Sequence, residues 1–386
     1  MHRSIALLAW LVMAAATPIV AQQPQAPGQI RPRPAQGREP EFPPPNIREY
    51  KPRSTLVVPA HLVPRSKFPS VDFHGHPPAL LSDSILNVVG GAMDSLNLQV
   101  MVNASGSSGD RLRQQLAAVR ASRYKDRFVM FTTLDLRGVG PGSGAKIAAQ
   151  LEADVKAGAV GIGEINKGFG LGARKADGSR LKLDDPELDP VWETAARLKI
   201  PVFIHTADPA EFFQPLDYQN ERWLELALYA DRRYQDRTRF PSFEELMGER
   251  DRLLARHPST IWVVAHLGWH ANDLARLGRM FDRLPNLYSE VGAILYDLGR
   301  QPRAAREFFV KYQDRLLFGK DSFQPDEYPY YWRVFETNDE YFDYYRDYHA
   351  FWKLYGMGLP DTVLKKLYYA NALKLIPAIP RPGFPK

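Results

Sequence analysis

The 386-residue sequence predicts a closed barrel of eight parallel strands, a (β/α)8 fold, on three observations. From Val71 onward, apolar runs of strand length alternate with helical segments, a pattern that indicates βαβ units and a parallel sheet. Eight such strands within about 250 residues are typical of this barrel. The Gly-rich stretch 138–146 fits neither a dinucleotide-binding turn nor a phosphate-binding loop, which disfavours an open doubly wound sheet.

Each predicted strand is a short apolar run, and each predicted helix carries apolar residues at helical spacing. The predicted strands are Val71–His74, Leu98–Asn103, Phe128–Leu134, Ala159–Glu164, Val202–His205, Ile261–His266, Leu287–Val291 and Leu316–Phe318. The predicted helices include Asp110–Ala121, Ala145–Ala157, Pro190–Leu198, Phe243–His257 and Asn272–Arg283.

Two longer segments interrupt this alternation. Phe212–Phe240, after the fifth strand, is predicted to be helical and is rich in aromatic and charged residues. Ser322–Tyr355, after the eighth strand, contains fourteen aromatic residues. Segments that follow barrel strands lie on the C-terminal face, above the site where such barrels do their chemistry. Two interpretations of the aromatic residues are open. They form an added packing layer or the subunit interface of a homo-oligomer, or else they line a substrate pocket.

The regions flanking the barrel have a different composition. Residues 1–21 are predicted to be a signal peptide, because a basic start precedes the apolar run Ile5–Ala16, which is too short to span a bilayer. The sequence therefore predicts a secreted or periplasmic protein without a membrane anchor. Residues 22–70 read as a Pro-rich linker or arm, residues 71–377 as the barrel domain, and residues 378–386 as a tail.

Composition excludes several kinds of site. The sequence has no cysteine, so disulfides, a thiolate nucleophile and thiolate metal ligands are excluded, and any metal site must use histidines and carboxylates. The net charge of +6 comes from the first 70 residues, and the rest of the chain is neutral. This distribution argues against a nucleic-acid partner and leaves a small molecule as the expected partner.

Polar side chains end several of the predicted strands. His74 and His76 end the first strand, and residues at i and i+2 of a strand point to one side. Imidazole is the commonest metal ligand in proteins, so this pair predicts half of a metal site. The fourth, fifth, sixth and eighth strands end in or lead directly to Glu164, His205, His266 and Asp321. Since the ends of barrel strands converge on one mouth, these residues are expected to meet there.

The combined motifs resemble the amidohydrolase superfamily, in its amidohydrolase-related branch (amidohydrolase 2). The motifs are His-x-His on the first strand, a histidine ending the fifth, Ala-His-Leu-Gly at 265–268, Phe-Gly-Lys-Asp-Ser at 318–322 and Tyr-Tyr-Ala-Asn-Ala at 368–372. The resemblance covers residues 71–377. The branch contains metal-dependent hydrolases and nonoxidative decarboxylases of the aminocarboxymuconate-semialdehyde and resorcylate type.

The resemblance implies a ligand set for a divalent ion, with Zn²⁺ expected and Mn²⁺ or Fe²⁺ as alternatives. One ion is the expected number, and a second is possible if Glu164 acts as a bridging ligand. Asp321 is also implied as the group that takes a proton from the attacking water, and His266 as a catalytic residue that acts on the substrate oxygen. The implied ligands are His74, His76, His205 and Asp321.

The expected function is that of an exported metal-dependent hydrolase that cleaves a C–N or C–O bond in an amide, ester or lactone. A nonoxidative decarboxylase of an aromatic or enoic acid is the alternative, and a metal-binding barrel without catalysis is a third reading. Lys320 departs from the branch, which usually has a small residue before the aspartate, and it predicts either an anionic substrate or a lysine that points away. The candidate substrate-binding residues are Arg111, Lys167, Trp269 and Lys320.

Overall fold

The computed structural model describes residues 42–349 and 352–385. The predicted signal peptide at 1–21 lies outside the described residues. The chain divides into two units, at residues 1–49 and 50–386. In the described part of the first unit, a turn is closed by the Glu49 N–H donating to the Asn46 carbonyl at 2.9 Å. The second unit contains the barrel. Within the described ranges, no helix is both long and apolar enough to cross a bilayer.

The barrel is built from parallel strands, and each of the first eight pairs with its neighbour in the sequence. The strands are β1 Ser70–His76, β2 Leu98–Ser107, β3 Phe128–Thr132, β4 Ile162–Ile165, β5 Pro201–Ile204, β6 Ile261–Val264, β7 Leu287–Glu290, β8 Leu316–Leu317 and β9 Asp321–Ser322. All eight predicted strands are present, with ends that differ by a few residues, and the predicted fold class is confirmed.

The eighth strand closes the barrel in two steps. Its first part, β8, pairs with β7, and its second part, β9, pairs with β1 through Gly75 opposite Asp321. Between them, the Phe73 N–H donates to the Phe318 carbonyl at 2.9 Å. Segment 316–322 therefore bonds to both neighbours, and its second part brings Asp321 beside the end of β1.

Thirteen helices are found in the described residues. They are α1 Asp83–Leu96, α2 Gly109–Ala121, α3 Ser143–Ala157, α4 Gly168–Leu171, α5 Asp189–Leu198, α6 Trp223–Leu228, α7 Phe243–Arg256, α8 Leu274–Arg283, α9 Leu295–Arg300, α10 Pro302–Lys311, α11 Tyr328–Glu336, α12 Asp361–Lys365 and α13 Asn371–Leu375. The five predicted helices correspond to α2, α3, α5, α7 and α8. Outside the two insertions, the prediction also missed α1, α4, α9, α10 and α12.

Tertiary packing explains why α1 was missed. Its centre contains Gly90 and Gly91, and glycine disfavours a helix by about 1 kcal/mol per residue. At Gly90 the ring of Tyr124 occupies the place of a side chain, since an added Cβ would lie 2.2 Å from the ring Cε1. Ser82 caps the helix by accepting the Ile85 N–H. The glycine that weakens the sequence pattern is therefore the residue that lets α1 pack closely.

The C-terminal motif also has a structural role. Asn371, the first residue of α13, donates its side-chain amide to the carbonyls of Gln313 and Leu316, each at 2.7 Å. The first of these lies in the turn that enters β8, and the second is in the strand itself. The closing helix is thereby tied to the strand that closes the barrel.

The two insertions differ in structure. The segment after β5 is less helical than predicted, with only the six-residue α6 and short 3₁₀ turns between 210 and 232. The segment after β9 contains α11 and a small hairpin, β10 Phe342–Asp343 with β11 Lys353–Leu354. Four aromatic side chains of α11 are fully buried, which supports the packing interpretation for them. They are Tyr328, Tyr331, Trp332 and Phe335.

The part of the Pro-rich arm in the second unit has no regular structure, and only its end packs on the barrel. Leu56 and Val57 are exposed. Further along, the His61 N–H donates to Asp339 at 2.7 Å and the Lys67 N–H to Glu336 at 3.0 Å. The arm is therefore anchored to the insertion that follows the eighth strand.

A layer of aromatic rings fills the barrel below its mouth. Phe73 packs edge-to-face on Phe131 at 5.5 Å and on Phe203 at 5.4 Å between ring centroids. These residues come from β1, β3 and β5, and side chains from alternate strands form the interior layers of such barrels. Gly161 leaves room for this layer, because a Cβ there would lie 2.4 Å from the Phe131 ring.

We expect Phe131→Ala to lower the free energy of unfolding by about 3–5 kcal/mol, because it leaves a cavity in the barrel interior. The matched control is Leu62→Ala, which truncates an exposed apolar residue of the arm and should have almost no effect. Urea unfolding followed by circular dichroism measures both. Equal midpoints for the two variants would contradict the interior position of Phe131.

Candidate metal centre

Four histidines meet at the C-terminal end of the barrel. The ring centroids of His74 and His76 are 4.9 Å apart, those of His74 and His266 are 5.0 Å apart, and those of His205 and His266 are 4.5 Å apart. They come from β1 and from the residues that follow β5 and β6. The convergence expected from the strand ends is therefore present.

Glu164, on β4, touches three of these imidazoles. Its Oε2 lies 3.3 Å from His74 Nε2 and 3.0 Å from His76 Nε2. Its other oxygen, Oε1, lies 2.5 Å from His205 Nδ1. The sequence left open whether Glu164 belongs to the site, and the structure puts its carboxylate between two groups of histidines.

The first group has the spacing of ligands around one ion. The Nε2 atoms of His74 and His76 are 3.0 Å apart, and Asp321 Oδ1 lies 3.9 Å from the first and 3.8 Å from the second. Tetrahedral ligands at about 2.0–2.2 Å from a metal are separated by roughly 3.3–3.6 Å. His74, His76 and Asp321, with the Oε2 of Glu164, therefore fit a divalent ion.

The second group consists of Glu164, His205 and His266, whose candidate ligand atoms all lie within 4.8 Å of one another. Among the described residues, buried His205 Nε2 has no hydrogen-bond partner. His266 Nδ1 lies 2.8 Å from the Gly292 carbonyl, so it carries the proton and donates it. His266 Nε2 then presents a lone pair, which suits a metal ligand or proton acceptor better than a donor to an oxyanion.

Glu290, at the end of β7, supports the centre and was missed in the sequence. Its Oε1 lies 3.0 Å from His74 Nδ1, as a charge contact. The same oxygen accepts the backbone N–H of His266 at 2.6 Å. Its Oε2 accepts the Gly292 N–H at 2.5 Å. A carboxylate behind a ligating histidine fixes the ring orientation and raises its basicity. Glu290 is the last residue of β7, so the search for polar residues at strand ends that found the other site residues would have found it as well.

The backbone around the centre is unusual. Six of the nine non-glycine residues with positive φ in the described chain follow strands at the mouth: Ala207, His266, Leu267, Trp269, Ala293 and Asp321. Left-handed backbone costs about 1–3 kcal/mol for each non-glycine residue and concentrates at functional sites. The loops after β5 to β8 therefore hold their residues in conformations that the local sequence does not favour.

Exposure shows from which side a substrate can approach. The side chains of His74 and Glu290 are fully buried, whereas that of His76 is 25% exposed and that of Asp321 is 34% exposed. A cleft of about 460 Å³ runs between the loops that follow β3 and β4. Its lining includes Leu134, Ile165 and Phe169. The volume is in the range of small-molecule sites.

The charges of the cluster are strongly coupled. Burial favours the neutral form of His74, but Glu290 and Glu164 outweigh it and hold the pKa of His74 well above its usual range. Burial likewise opposes the ionised form of Glu164, yet the contacts with His74 and His205 hold its pKa well below the usual range. Burial, reinforced by the charge of His205, lowers the pKa of His266 to about 4. A metal ion entering this cluster must therefore displace protons.

The candidate substrate-binding residues lie in different places. Trp269 packs on His205 and His266, with ring centroids 5.7 Å and 4.5 Å away, so it borders the centre. Lys167 donates to Asp208 at 2.5 Å, and this carboxylate lies 3.8 Å from His205 Nε2. Trp269 therefore forms part of the wall of the centre. Lys167 is linked to His205 only indirectly, through the Asp208 carboxylate.

The other two candidates are separate from the cluster. The Arg111 side chain is exposed in the first turn of α2, and no described contact joins it to the histidines. The Lys320 ammonium is buried, pairs with Glu327 and donates to the Ser322 carbonyl at 3.1 Å. Of the two alternatives raised for Lys320, the structure therefore favours a lysine that points away from the substrate.

We expect Glu290→Gln to weaken metal binding by about 10–100-fold, because the neutral amide no longer supports the His74 ring as a carboxylate does. Glu244→Gln, which neutralises an exposed glutamate paired with Arg276, is the matched control and should bind metal normally. Competition with a chromogenic chelator gives both affinities. If Glu290→Gln bound metal as tightly as the control, this supporting role would be wrong.

Several solved structures are distantly similar to this chain. Among solved structures, an uncharacterised TIM-barrel protein from Bordetella bronchiseptica is 18% identical, with a TM-score of 0.48, over 80% of this chain and 98% of that one. A 2,6-dihydroxybenzoate decarboxylase from Rhizobium is 16% identical, with a TM-score of 0.49, over 80% and 98%. A 4-oxalomesaconate hydratase from Rhodopseudomonas palustris is 16% identical, with a TM-score of 0.45, over 80% and 95%.

These identities and TM-scores are too low to transfer an activity. No curated protein matches the sequence. The model of one protein family, described as Amidohydrolase, matches residues 71–378, which is most of the chain and nearly the extent of the predicted barrel domain. The chain therefore belongs to the amidohydrolase family of metal-dependent enzymes, in the branch that its strand-end motifs indicated.

Proposed function

We propose that the protein is a hydrolase that uses two divalent ions to cleave a C–N or C–O bond in an amide, ester or lactone. We also propose, from the apolar run near the N-terminus, that it is exported. The position of Glu164 carries the proposal of hydrolysis. Its Oε2 lies among the candidate ligand atoms of the first group, and its Oε1 is hydrogen-bonded to His205 Nδ1 of the second, so Glu164 would connect the two groups if each held an ion. Paired ions recur in hydrolytic enzymes, where they hold the attacking and leaving oxygens.

The side chains of the centre suit this chemistry. When bound, divalent ions would supply Lewis-acid activation of water and of the scissile carbonyl. Asp321 is ionised and partly exposed, so it can accept the proton of a water molecule that attacks the carbonyl carbon. The same carboxyl group can then return the proton to the leaving nitrogen or oxygen. Asp321 has a left-handed backbone and pairs with Gly75 at the end of β1.

The cleft between the loops that follow β3 and β4 supports a small organic substrate. Its floor includes the apolar side chains Leu134, Leu136, Ile165 and Phe169, and Arg137 and Arg174 lie at its exposed edge. Ile165, which lines the cleft, directly follows Glu164 in β4. We propose that an apolar acyl or ring group lies in this cleft while the scissile bond faces Asp321.

We expect the metal-loaded protein to hold about two ions per chain, and Glu164→Gln to hold one or fewer, because an amide cannot bridge two cations as a carboxylate does. Glu152→Gln is the control, since Glu152 is an exposed glutamate paired with Arg197. Elemental analysis after gel filtration counts the ions. A single ion that survives Glu164→Gln with unchanged affinity would contradict the two-ion centre and favour the one-ion site.

We expect hydrolysis of at least one member of a panel of amides, esters and lactones, and a loss of on the order of 10²–10⁴-fold in kcat for Asp321→Asn. Asp314→Asn is the control, because it neutralises an exposed aspartate two residues before β8, in the segment that leads to Asp321. The panel should also include aromatic and enoic carboxylates, with carbon dioxide release as a separate readout. Carbon dioxide release without any hydrolysis would establish the decarboxylase alternative instead.

A further inference from the structure

Asp72 is a buried carboxylate that belongs to neither group of candidate ligands. It lies on β1, two residues before His74, and is fully buried. Its Oδ1 accepts the His74 N–H at 3.0 Å and the Lys320 N–H at 3.1 Å, and its Oδ2 accepts the Tyr328 hydroxyl at 2.6 Å. A buried carboxylate is costly unless it is fully hydrogen-bonded, and three donors surround this one.

The two backbone N–H groups belong to the two ligand-bearing segments. His74 is itself one of the candidate ligands at the end of β1. Lys320 directly precedes Asp321, the candidate ligand of the other segment. At both places the sheet ladder is interrupted, since β1 shifts register between Asp72 and Gly75 and the eighth strand is broken between Leu317 and Asp321. Asp72 thus accepts two N–H groups where the ladder is irregular, and it joins the segments there.

The insertion after the eighth strand holds Asp72 from the other side. Tyr328 is the first residue of α11 and is fully buried. The Lys320 ammonium lies 5.7 Å from the centroid of the Tyr328 ring and pairs with Glu327. The start of α11 therefore contacts both the Asp72 carboxylate and the lysine that precedes Asp321.

We propose that Asp72 and Tyr328 are positioning residues that set the separation between His74 and Asp321, so that the aromatic insertion tunes metal affinity at the mouth. This inference rests on the proposed metal centre and goes beyond it, since neither residue touches an ion. It also explains why Lys320 stands where a small residue is usual. Its ammonium pairs with Glu327 and so anchors the start of α11, whereas the backbone amide that donates to Asp72 does not depend on the side chain.

The test compares two tyrosines that each donate a buried hydrogen bond to a carboxylate. Tyr328→Phe removes the bond to Asp72, and Tyr368→Phe removes a bond of 2.8 Å to Glu336, away from the centre. Each variant loses one oxygen and keeps its ring. We expect Co²⁺ affinity to fall about tenfold or more in Tyr328→Phe only, with a changed visible absorption spectrum of bound Co²⁺.

A general loss of structure would affect both variants, so thermal unfolding is measured beside the Co²⁺ titration. Equal Co²⁺ affinity and identical spectra in the two variants would overturn the inference while leaving the metal centre intact. Asp72→Asn, which keeps the shape of the side chain but removes its charge, should also weaken Co²⁺ binding, and normal binding by it would likewise overturn the inference. Failure of the unaltered protein to bind Co²⁺ would refute the proposed centre itself, and the inference with it.

Discussion

Buried negative charge at the mouth of the barrel is the constraint on which the rest of the structure depends. Asp72 and Glu290 are fully buried, and Glu164, Glu290 and Asp321 all contact His74. Buried carboxylates must be paired or hydrogen-bonded, and here imidazoles and backbone N–H groups surround them. Imidazoles that bind a metal are neutral, however, so they cannot balance this charge. Divalent cations can, which is the physical reason that the arrangement fits a metal centre.

Much of the fold could be predicted because the barrel repeats one pattern. Apolar runs and helical spacing located all eight strands and five of the helices, since a buried parallel strand is apolar along its length. The pattern failed where packing overrides local preference. Gly90 weakens the sequence signal of α1 but admits the Tyr124 ring. The segment after β5 reads as helical from its composition, yet side-chain bonds such as that of Asn220 to the Glu211 carbonyl hold it mainly in turns.

The site was predictable to the extent that its residues end strands. His74, His76, His205, His266, Glu164 and Asp321 follow apolar runs and meet as expected. The spacing of residues in the sequence cannot show which oxygen of Glu164 faces which group of histidines, because this depends on the rotation of the side chain. Glu290 was missed although it ends β7, and the importance of Asp72 depends on a contact with Tyr328, which is 256 residues away in the chain. Contacts at such separation follow from the closed barrel and not from local sequence.

The central claim, that Glu164 joins two ligand groups in a two-ion centre, is tested most directly by anomalous X-ray diffraction from crystals of the zinc-loaded protein, measured above and below the zinc absorption edge. We expect two anomalous peaks, about 3.5–4 Å apart, one on each side of the Glu164 carboxylate. One peak should lie among His74, His76 and Asp321, and the other between His205 and His266. A single peak that Glu164 does not contact, or no peak at the mouth, would contradict the claim.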